Sequence, residues 1–379
     1  MFEQYCSRLV NKPCFFEGQP DLNDRNDPHI FYNREEDNLV MVRLDDRNEE
    51  LAGKLTLKLK TTGNQPKAFS GRFDFVSSFE YAPASSKGNA CQFDLQLSAD
   101  NELLLISDFN RRVVKTFDTT SKNLVHELHV ASRPYYLTVA STEKHTSSNT
   151  TSIMISCEDH CVYRYDFKVN QQNTRQTNQQ TVWGSSNDPP TQDRVQTMPY
   201  VWRAGTPDDS GYINQMNCPR GVAVNRNASR VYVNDYRNHR IQILAYDDGS
   251  FIGQIPSTFC MKIPYPWALA LTREEHFVVS EFTNHRIQKI SKTGKGMMCF
   301  GNKGSSFSEF DFPRKIIVDA STQNILVCDR NNRVQIFSPT GKFITCHQCL
   351  EAVPLSMCIN QKTGELFIIN SRNSISIFK

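Results

Sequence analysis

The feature that most constrains the fold of this chain is a short unit that recurs along it. In each copy an apolar run ends in an acidic residue, a polar turn follows, and a second apolar run contains an arginine at or near its start. The four acid–arginine pairs are Asp108 with Arg112, Asp235 with Arg240, Glu281 with Arg286, and Asp329 with Arg333. Two β-branched apolar runs around a polar turn predict a β-hairpin. Because Asp235, Glu281 and Asp329 follow one another at spacings of 46 and 48 residues, the sequence predicts a repeat architecture.

Two more copies depart from this pattern. Cys157 and Cys161 occupy the acid and arginine positions of one copy, and Asn370 and Ser374 occupy those of the other. The spacing from Cys157 to Asp235 is 78 residues, and the excess over the other spacings is less than one repeat. That excess falls in a Gln-, Asn- and Thr-rich segment with no second hairpin pattern. We therefore expect six repeats with an inserted loop at about residues 169–217, rather than seven repeats.

Residues 91–379 resemble the NHL-repeat family of β-propellers. The resemblance is carried by Pro-Arg-Gly-Val-Ala-Val at 219–224, by Asn-His-Arg-Ile-Gln at 238–242 and by Asn-His-Arg at 284–286. The family implies an all-β fold, a six-bladed β-propeller whose four-stranded antiparallel blades surround a channel. A closed ring of this kind leaves few sheet edges exposed.

The two ends of the chain are expected to meet. The last repeat ends at Lys379 after only three strand-like runs, so its fourth strand has to come from elsewhere. Residues 71–79 form an aromatic-rich run that can pair there and close the ring. We expect the propeller to span residues 67–379, with residues 1–66 as an N-terminal extension of unassigned role.

The composition indicates an ordinary globular protein, with 39% hydrophobic and 22% charged residues. A net charge of +3 is too small to indicate a nucleic-acid or membrane partner by itself. The N-terminus has no signal-peptide pattern and no apolar run reaches the length of a membrane helix, so we expect a cytoplasmic protein with no membrane partner. The twelve cysteines are then expected to be free thiols. The sequence leaves open whether Cys157 and Cys161 pair, and which oligomeric state the chain adopts.

The conspicuous polar residues favour structural roles. The acid–arginine pairs are expected to lock the hairpins, and the turn residues His239 and His285 to form local hydrogen bonds. A metal-dependent hydrolase or lyase of the propeller type would need oxygen or histidine ligands in the channel. The carboxylates we place there are Asp94 and Asp319, which do not make a ligand set. We therefore expect no catalytic residue, no metal and no cofactor.

As an alternative to a catalytic site in the channel, one face of the ring can serve as a recognition surface. The turn within each hairpin and the loop that leads into each first strand emerge on one face. Aromatic and basic residues that we expect on this face are Phe109, Arg111, Tyr135, Tyr236, Arg237, Tyr265, Trp267, Phe282, Arg314, Lys315, Arg330 and Arg372. Such residues provide the anchors of protein interfaces, so we expect a non-enzymatic scaffold for a protein or peptide partner. RNA binding through the same face, and substrate recognition in ubiquitylation without a RING module in this chain, are the alternatives.

Overall fold

The computed structural model describes residues 29–33, 38–42, 55–57, 66–80, 92–140, 150–168, 198–207, 214–255, 263–348 and 352–379. The chain divides into two compact units, residues 1–64 and residues 65–379. In the first unit, β1 (His29–Asn33), β2 (Asn38–Val42) and β3 (Leu55–Leu57) form an antiparallel sheet in that order.

The described residues of the second unit form six four-stranded antiparallel sheets, which we call blades 1 to 6. Ahead of them in the chain lies β4 (Phe75–Glu80). Blade 1 contains β5 (Gln92–Leu97), β6 (Leu103–Asp108), β7 (Val113–Asp118) and β8 (Leu124–His129). Blade 2 contains β9 (Pro134–Ala140), β10 (Thr150–Cys157), β11 (Val162–Lys168) and β12 (Trp202–Ala204). Blade 3 contains β13 (Pro219–Asn225), β14 (Arg230–Asp235), β15 (Arg240–Ala245) and β16 (Phe251–Ile255).

The remaining blades repeat this order. Blade 4 contains β17 (Pro266–Leu271), β18 (Phe277–Glu281), β19 (Arg286–Ile290) and β20 (Gly296–Phe300). Blade 5 contains β21 (Ile316–Val318), β22 (Ile325–Asp329), β23 (Arg333–Phe337) and β24 (Phe343–Gln348). Blade 6 contains β25 (Pro354–Ile359), β26 (Leu366–Asn370), β27 (Ser374–Phe378) and the N-terminal strand β4. Short 3-10 turns at Tyr236–Asn238 and Phe282–Asn284 link the middle strands of blades 3 and 4.

The first strands of the blades line the centre of a closed ring. Each contacts the first strand of the next blade, in the order β5, β9, β13, β17, β21, β25 and back to β5. The prediction of an all-β, six-bladed propeller with four-stranded antiparallel blades is therefore confirmed. From the sequence we predicted an inserted loop at about residues 169–217. The outer strand of blade 2, β12, lies within this segment.

The N-terminal strand closes the ring, as the missing fourth strand of the last repeat predicted. β4 pairs antiparallel with β27, from Glu80 opposite Ser374 to Phe75 opposite Phe378. The strand begins at Phe75, later than the predicted start at Gly71, because Gly71 and Phe73 adopt left-handed backbone angles of φ 77° and 59°. Residues 66–73 therefore run to the strand in a non-extended path.

Apolar side chains fill each of the six spaces between adjacent blades. One cluster of buried residues lies between blades 1 and 2, and an equivalent cluster lies at each of the other junctions. Each blade therefore contributes apolar side chains from both of its faces, which explains why its middle strands are almost continuously buried.

Candidate binding face

The turns between the second and third strands meet the loops that lead into the next blade on one face of the ring, which we call the mouth face. At three junctions a turn histidine makes this contact. Its Nδ1 accepts a hydrogen bond from a backbone N–H of the following loop: His160 from Cys218 at 2.9 Å, His239 from Tyr265 at 3.0 Å, and His285 from Phe312 at 3.0 Å. The three histidines have left-handed backbone angles, φ 64°, 58° and 53°. His239 and His285, which we expected to bond locally or to be solvated, thus make hydrogen bonds between neighbouring blades.

Aromatic rings follow one another along the mouth face from blade 1 to blade 5. We call this set the aromatic arc; it consists of Phe109, Tyr135, Tyr236, Trp267, Phe282 and Phe312. Ring centroids are 5.2 Å apart for Phe109 and Tyr135, 5.4 Å for Tyr236 and Trp267, 4.3 Å for Trp267 and Phe282, and 4.8 Å for Phe282 and Phe312. Tyr265 extends the arc outward, with its ring 5.3 Å from Tyr236 and 38% of its surface exposed. Contacts of this geometry add stability beyond the burial of the rings.

Arg220 fills the gap in the arc between Tyr135 and the rings of blades 3 and 4. Its guanidinium carbon lies 3.6 Å from the ring centroid of Tyr135, 4.8 Å from that of Trp267 and 5.7 Å from that of Tyr236. Stacking of a guanidinium on aromatic faces is favourable, and more so when the groups are shielded from water. Arg220 therefore makes the arc continuous.

The structure brings most of the predicted face residues together. Phe109, Tyr135, Tyr236, Tyr265, Trp267 and Phe282 belong to the arc or contact it. Four arginines lie exposed in the hairpin turns of blades 1, 3, 5 and 6, namely Arg111, Arg237, Arg330 and Arg372. Arg330 also lies over the Phe312 ring at 5.5 Å. Tyr135 is only 9% exposed, since it is packed between Phe109 and Arg220.

Lys315 is not on this surface. It is 5% exposed, and its Nζ bonds to Asp94 of blade 1 on the channel side of the ring. Lys315 lies one position further along blade 5 than Arg314, so its side chain occupies the next layer of the channel. The placement of Lys315 on the binding face is therefore a wrong prediction, and its physical reason is the depth of that position in the channel.

The carboxylate of Asp94 is fully engaged within the channel. It accepts hydrogen bonds from Lys315 Nζ, from Ser356 Oγ at 2.7 Å and from the backbone N–H groups of Leu95 and Leu137 at 2.9 and 3.0 Å. The other predicted carboxylate, Asp319, accepts from the N–H of Phe69 at 3.2 Å and from that of Ser321 at 2.8 Å. The ammonium group of Lys315 is thus the ion-pair partner of Asp94 within the channel.

The family comparison bears on blade 3. A model described as NHL repeat matches residues 216–244, which span β13, β14 and β15. That match lies within a ring of six four-stranded blades. Blade 3 thus contains an NHL repeat within a six-bladed β-propeller.

Other proteins to which this chain is similar share little of its sequence. Over 81 residues, or 21% of this chain, it is 28% identical to Protein brain tumor of Drosophila melanogaster, and the match spans 8% of that protein's length. The WD40 propeller domain of Doa1 is 13% identical, with a TM-score of 0.49, over 76% of this chain and 78% of that one. Virginiamycin B lyase of Staphylococcus aureus is 12% identical, with a TM-score of 0.48, over 80% and 88%. Because one fold supports many functions, the function of the NHL propeller has to be derived from its site.

In blades 3 and 5 the acid–arginine motif holds the blade to its own incoming loop. Asp235 accepts from Arg240 Nε at 2.8 Å, and Arg240 Nη2 donates to the carbonyl of Gln215 at 2.6 Å. Gln242, the last residue of the motif, donates to the same carbonyl at 2.7 Å. Equivalent ion pairs join Glu281 to Arg286 at 2.7 Å and Asp329 to Arg333 at 3.2 Å. Burial raises the pKa of the Glu281 and Asp329 carboxyls, and the paired guanidinium opposes that rise.

Blade 1 differs from the sequence prediction. Val113, not Arg112, lies opposite Asp108 in the strand register, which is the position of Arg240 opposite Asp235. Arg112 is exposed in the turn with a left-handed φ of 56°. The turn of blade 1 has four residues, so an acid-to-arginine spacing of four, which suits the three-residue turn of blade 5, places the arginine inside the turn.

Two predictions from composition concern thiols and membranes. Cys157 and Cys161 are buried free thiols, and the N–H of Cys157 donates to the carbonyl of Cys161 at 2.9 Å. Burial raises the pKa of both, that of Cys161 to about 12.

Within the residues that the structure describes, no helix is both long enough and apolar enough to cross a membrane.

Two residues of the mouth face, Arg220 and Phe312, were not predicted from the sequence. The signal for Arg220 was available, because it follows the proline that opens its strand. Tyr135, Trp267 and Arg314, all predicted, follow prolines in the same way. Phe312 had a comparable signal, because it precedes Pro313 as the predicted Tyr265 precedes Pro266.

Proposed function

We propose that this NHL propeller is a non-enzymatic binding scaffold that recognises a protein or peptide through its mouth face. The observation that carries the proposal is the continuous arc of aromatic rings and arginines across five blades of one face. Half-buried rings held by their neighbours lose little conformational freedom on binding, so they are suited to anchor a partner.

The charged groups of the mouth face support the same proposal. Arg237, Arg330 and Arg372 are exposed in turns that flank the arc, so a central apolar surface has a polar rim. Protein interfaces have this composition, with aromatic residues and arginine enriched. The channel, by contrast, holds an aspartate neutralised by lysine, which supports a scaffold in preference to a metal enzyme.

A peptide-display selection on the whole chain tests the proposal. Selected peptides are labelled, and their affinities for Tyr265→Ala and Arg237→Ala are measured by fluorescence polarisation. We expect Tyr265→Ala to weaken binding at least about tenfold, because it removes an exposed aromatic anchor. Lys342→Ala is the matched control for Arg237→Ala, since Lys342 is exposed in a turn between the third and fourth strands of blade 5. Unchanged affinity for both mouth-face variants would refute the proposal.

RNA binding through the same face is a second candidate, because exposed arginines beside aromatic rings also suit single-stranded RNA. The two candidates differ in salt dependence. RNA affinity should fall steeply as the salt concentration rises. Arg237→Ala should reduce the slope of log affinity against log salt concentration by about one, which corresponds to one released counterion. A peptide anchored by aromatic rings should lose little affinity over the same range of salt.

A further inference from the structure

The guanidinium of Arg220 has hydrogen-bond donors that no residue described by the structure satisfies. Its Nε and Nη1 have almost no exposed surface and no hydrogen-bond partner. A buried, unsatisfied donor costs about 1–3 kcal/mol, and more when it is charged. Equivalent positions in blades 2, 4 and 6 hold Tyr135, Trp267 and Leu355, so the fold does not require an arginine there. The unsatisfied donors of Arg220 therefore call for an explanation other than folding.

A second arginine shares this feature. Arg314 occupies the equivalent position in blade 5, and its Nε is also buried without a hydrogen-bond partner. Both guanidinium groups are close enough to the phenol of Tyr136 to affect its pKa. Burial and the nearby Asp94 raise the pKa of that phenol, and Arg314 and Arg220 act in the opposite direction. Arg220 and Arg314 are thus two cations with unsatisfied buried donors, and both act on the phenol of Tyr136.

The charge of these two arginines is not balanced by the neighbouring carboxylate. Asp94 is already bonded to Lys315, Ser356 and two backbone N–H groups. Lys315 also lies 5.6 Å from the Tyr136 ring, so three cations and one carboxylate surround Tyr136 in the part of the chain that the structure describes. An anionic group at the mouth would restore the balance and satisfy the free donors.

We propose that Arg220, with Arg314 as the second cation, binds the carboxylate of an acidic side chain on the peptide partner. This inference rests on the proposed function and specifies the chemistry of the partner. The buried donors of Arg220 lie beside the rings of Tyr135, Tyr236 and Trp267, so the carboxylate would have to approach them between these rings on a narrow aliphatic stem. An RNA phosphate carries a ribose on each side, which makes it too bulky for a recessed site.

The test is a double-mutant cycle between the peptide and the propeller. Two peptides serve as probes. One is a peptide selected on the whole chain that contains the acidic residue, a Glu, common to the selected peptides. The other is the same peptide with that Glu replaced by Gln. On the wild-type propeller we expect the Gln copy to bind at least about tenfold more weakly, as for the loss of a shielded hydrogen-bonded charge pair. On Arg220→Met the two peptides should bind with equal affinity. Arg314→Met should reduce the difference, and it keeps the test decisive if Arg220→Met does not fold.

Arg237→Met is the matched control, because it removes an exposed arginine of the same face. It should leave the ratio of the two affinities unchanged. The inference fails if selected peptides share no acidic residue, or if the Glu preference persists on both Arg220→Met and Arg314→Met. In those cases the proposed function still stands when Tyr265→Ala weakens peptide binding. If no peptide binds and a ten-nucleotide uridine RNA binds in an Arg220-dependent way, both proposals fail.

Discussion

The six blades are joined in two different ways, and these divide the ring into two arcs. At the junctions of blades 2 with 3, 3 with 4 and 4 with 5, a turn histidine accepts from the next loop. At the turns of blades 5, 6 and 1 the same position holds Asn332, Asn373 and Arg112. There, residues 66–80 and the Lys315–Asp94 ion pair connect the blades. We call these the histidine arc and the closure arc.

The difference lies in how far along the chain each contact reaches. The histidine bond from His239 spans 26 residues, whereas the Lys315–Asp94 bond spans 221 and the Phe69–Asp319 bond spans 250. Contacts of long range form only after the chain ends have been brought together, which carries an entropic cost. The closure arc therefore holds the contacts on which the intact ring depends most.

Removal of the N-terminal strand should have the largest effect. Deleting residues 1–80 removes β4, leaves β27 as an unpaired edge and takes the buried rings of Phe69 and Phe73 from the core. We expect the melting temperature to fall by about 10 °C or more, or cooperative unfolding to be lost. Differential scanning calorimetry gives the measurement. Deletion of residues 1–64 is the control, since residues 65–379 form a compact unit. Equal melting of the two truncated chains would show that the ring closes without β4.

Asp94→Asn should have the next largest effect, because it leaves Lys315 buried without its anion. Breaking a buried ion pair from one side costs about 3–5 kcal/mol. Urea unfolding followed by circular dichroism measures the loss. The double variant Asp94→Asn with Lys315→Met removes both charges, so it should lose less stability than Asp94→Asn alone. If the two variants are equally unstable, the ion pair does not explain the role of Asp94.

The fold was predictable from the sequence because its signals are local and repeated. The spacing of Asp235, Glu281 and Asp329 indicated the blades, and the absence of a fourth strand before Lys379 indicated the ring closure. The spacing in blade 1 did not predict the strand register, since an arginine four residues after Asp108 suggests that Arg112 lies opposite it. Only the four-residue turn of the structure reveals that Val113 takes that position.

The residues of the mouth face were less predictable than the fold, because the local sequence does not show how deep in the channel a side chain lies. Arg314 and Lys315 are adjacent and both basic, yet one belongs to the mouth and the other to a buried ion pair with Asp94. That pairing depends on a residue 221 positions away. The stacking of Arg220 on rings from blades 2, 3 and 4 likewise exists only in the closed ring.

The smallest of the predicted effects belongs to the histidine arc. His239→Ala leaves the N–H of Tyr265 without its acceptor, and we expect a loss of about 1 kcal/mol in the free energy of unfolding. Asn332→Ala is the matched control, because Asn332 has nearly the same left-handed φ, 57° against 58°, while its Oδ1 accepts no hydrogen bond. The backbone cost of alanine is then common to both variants, and the difference measured in urea isolates the histidine bond. No difference between them would mean that the packing between blades, not the histidine, holds this arc together.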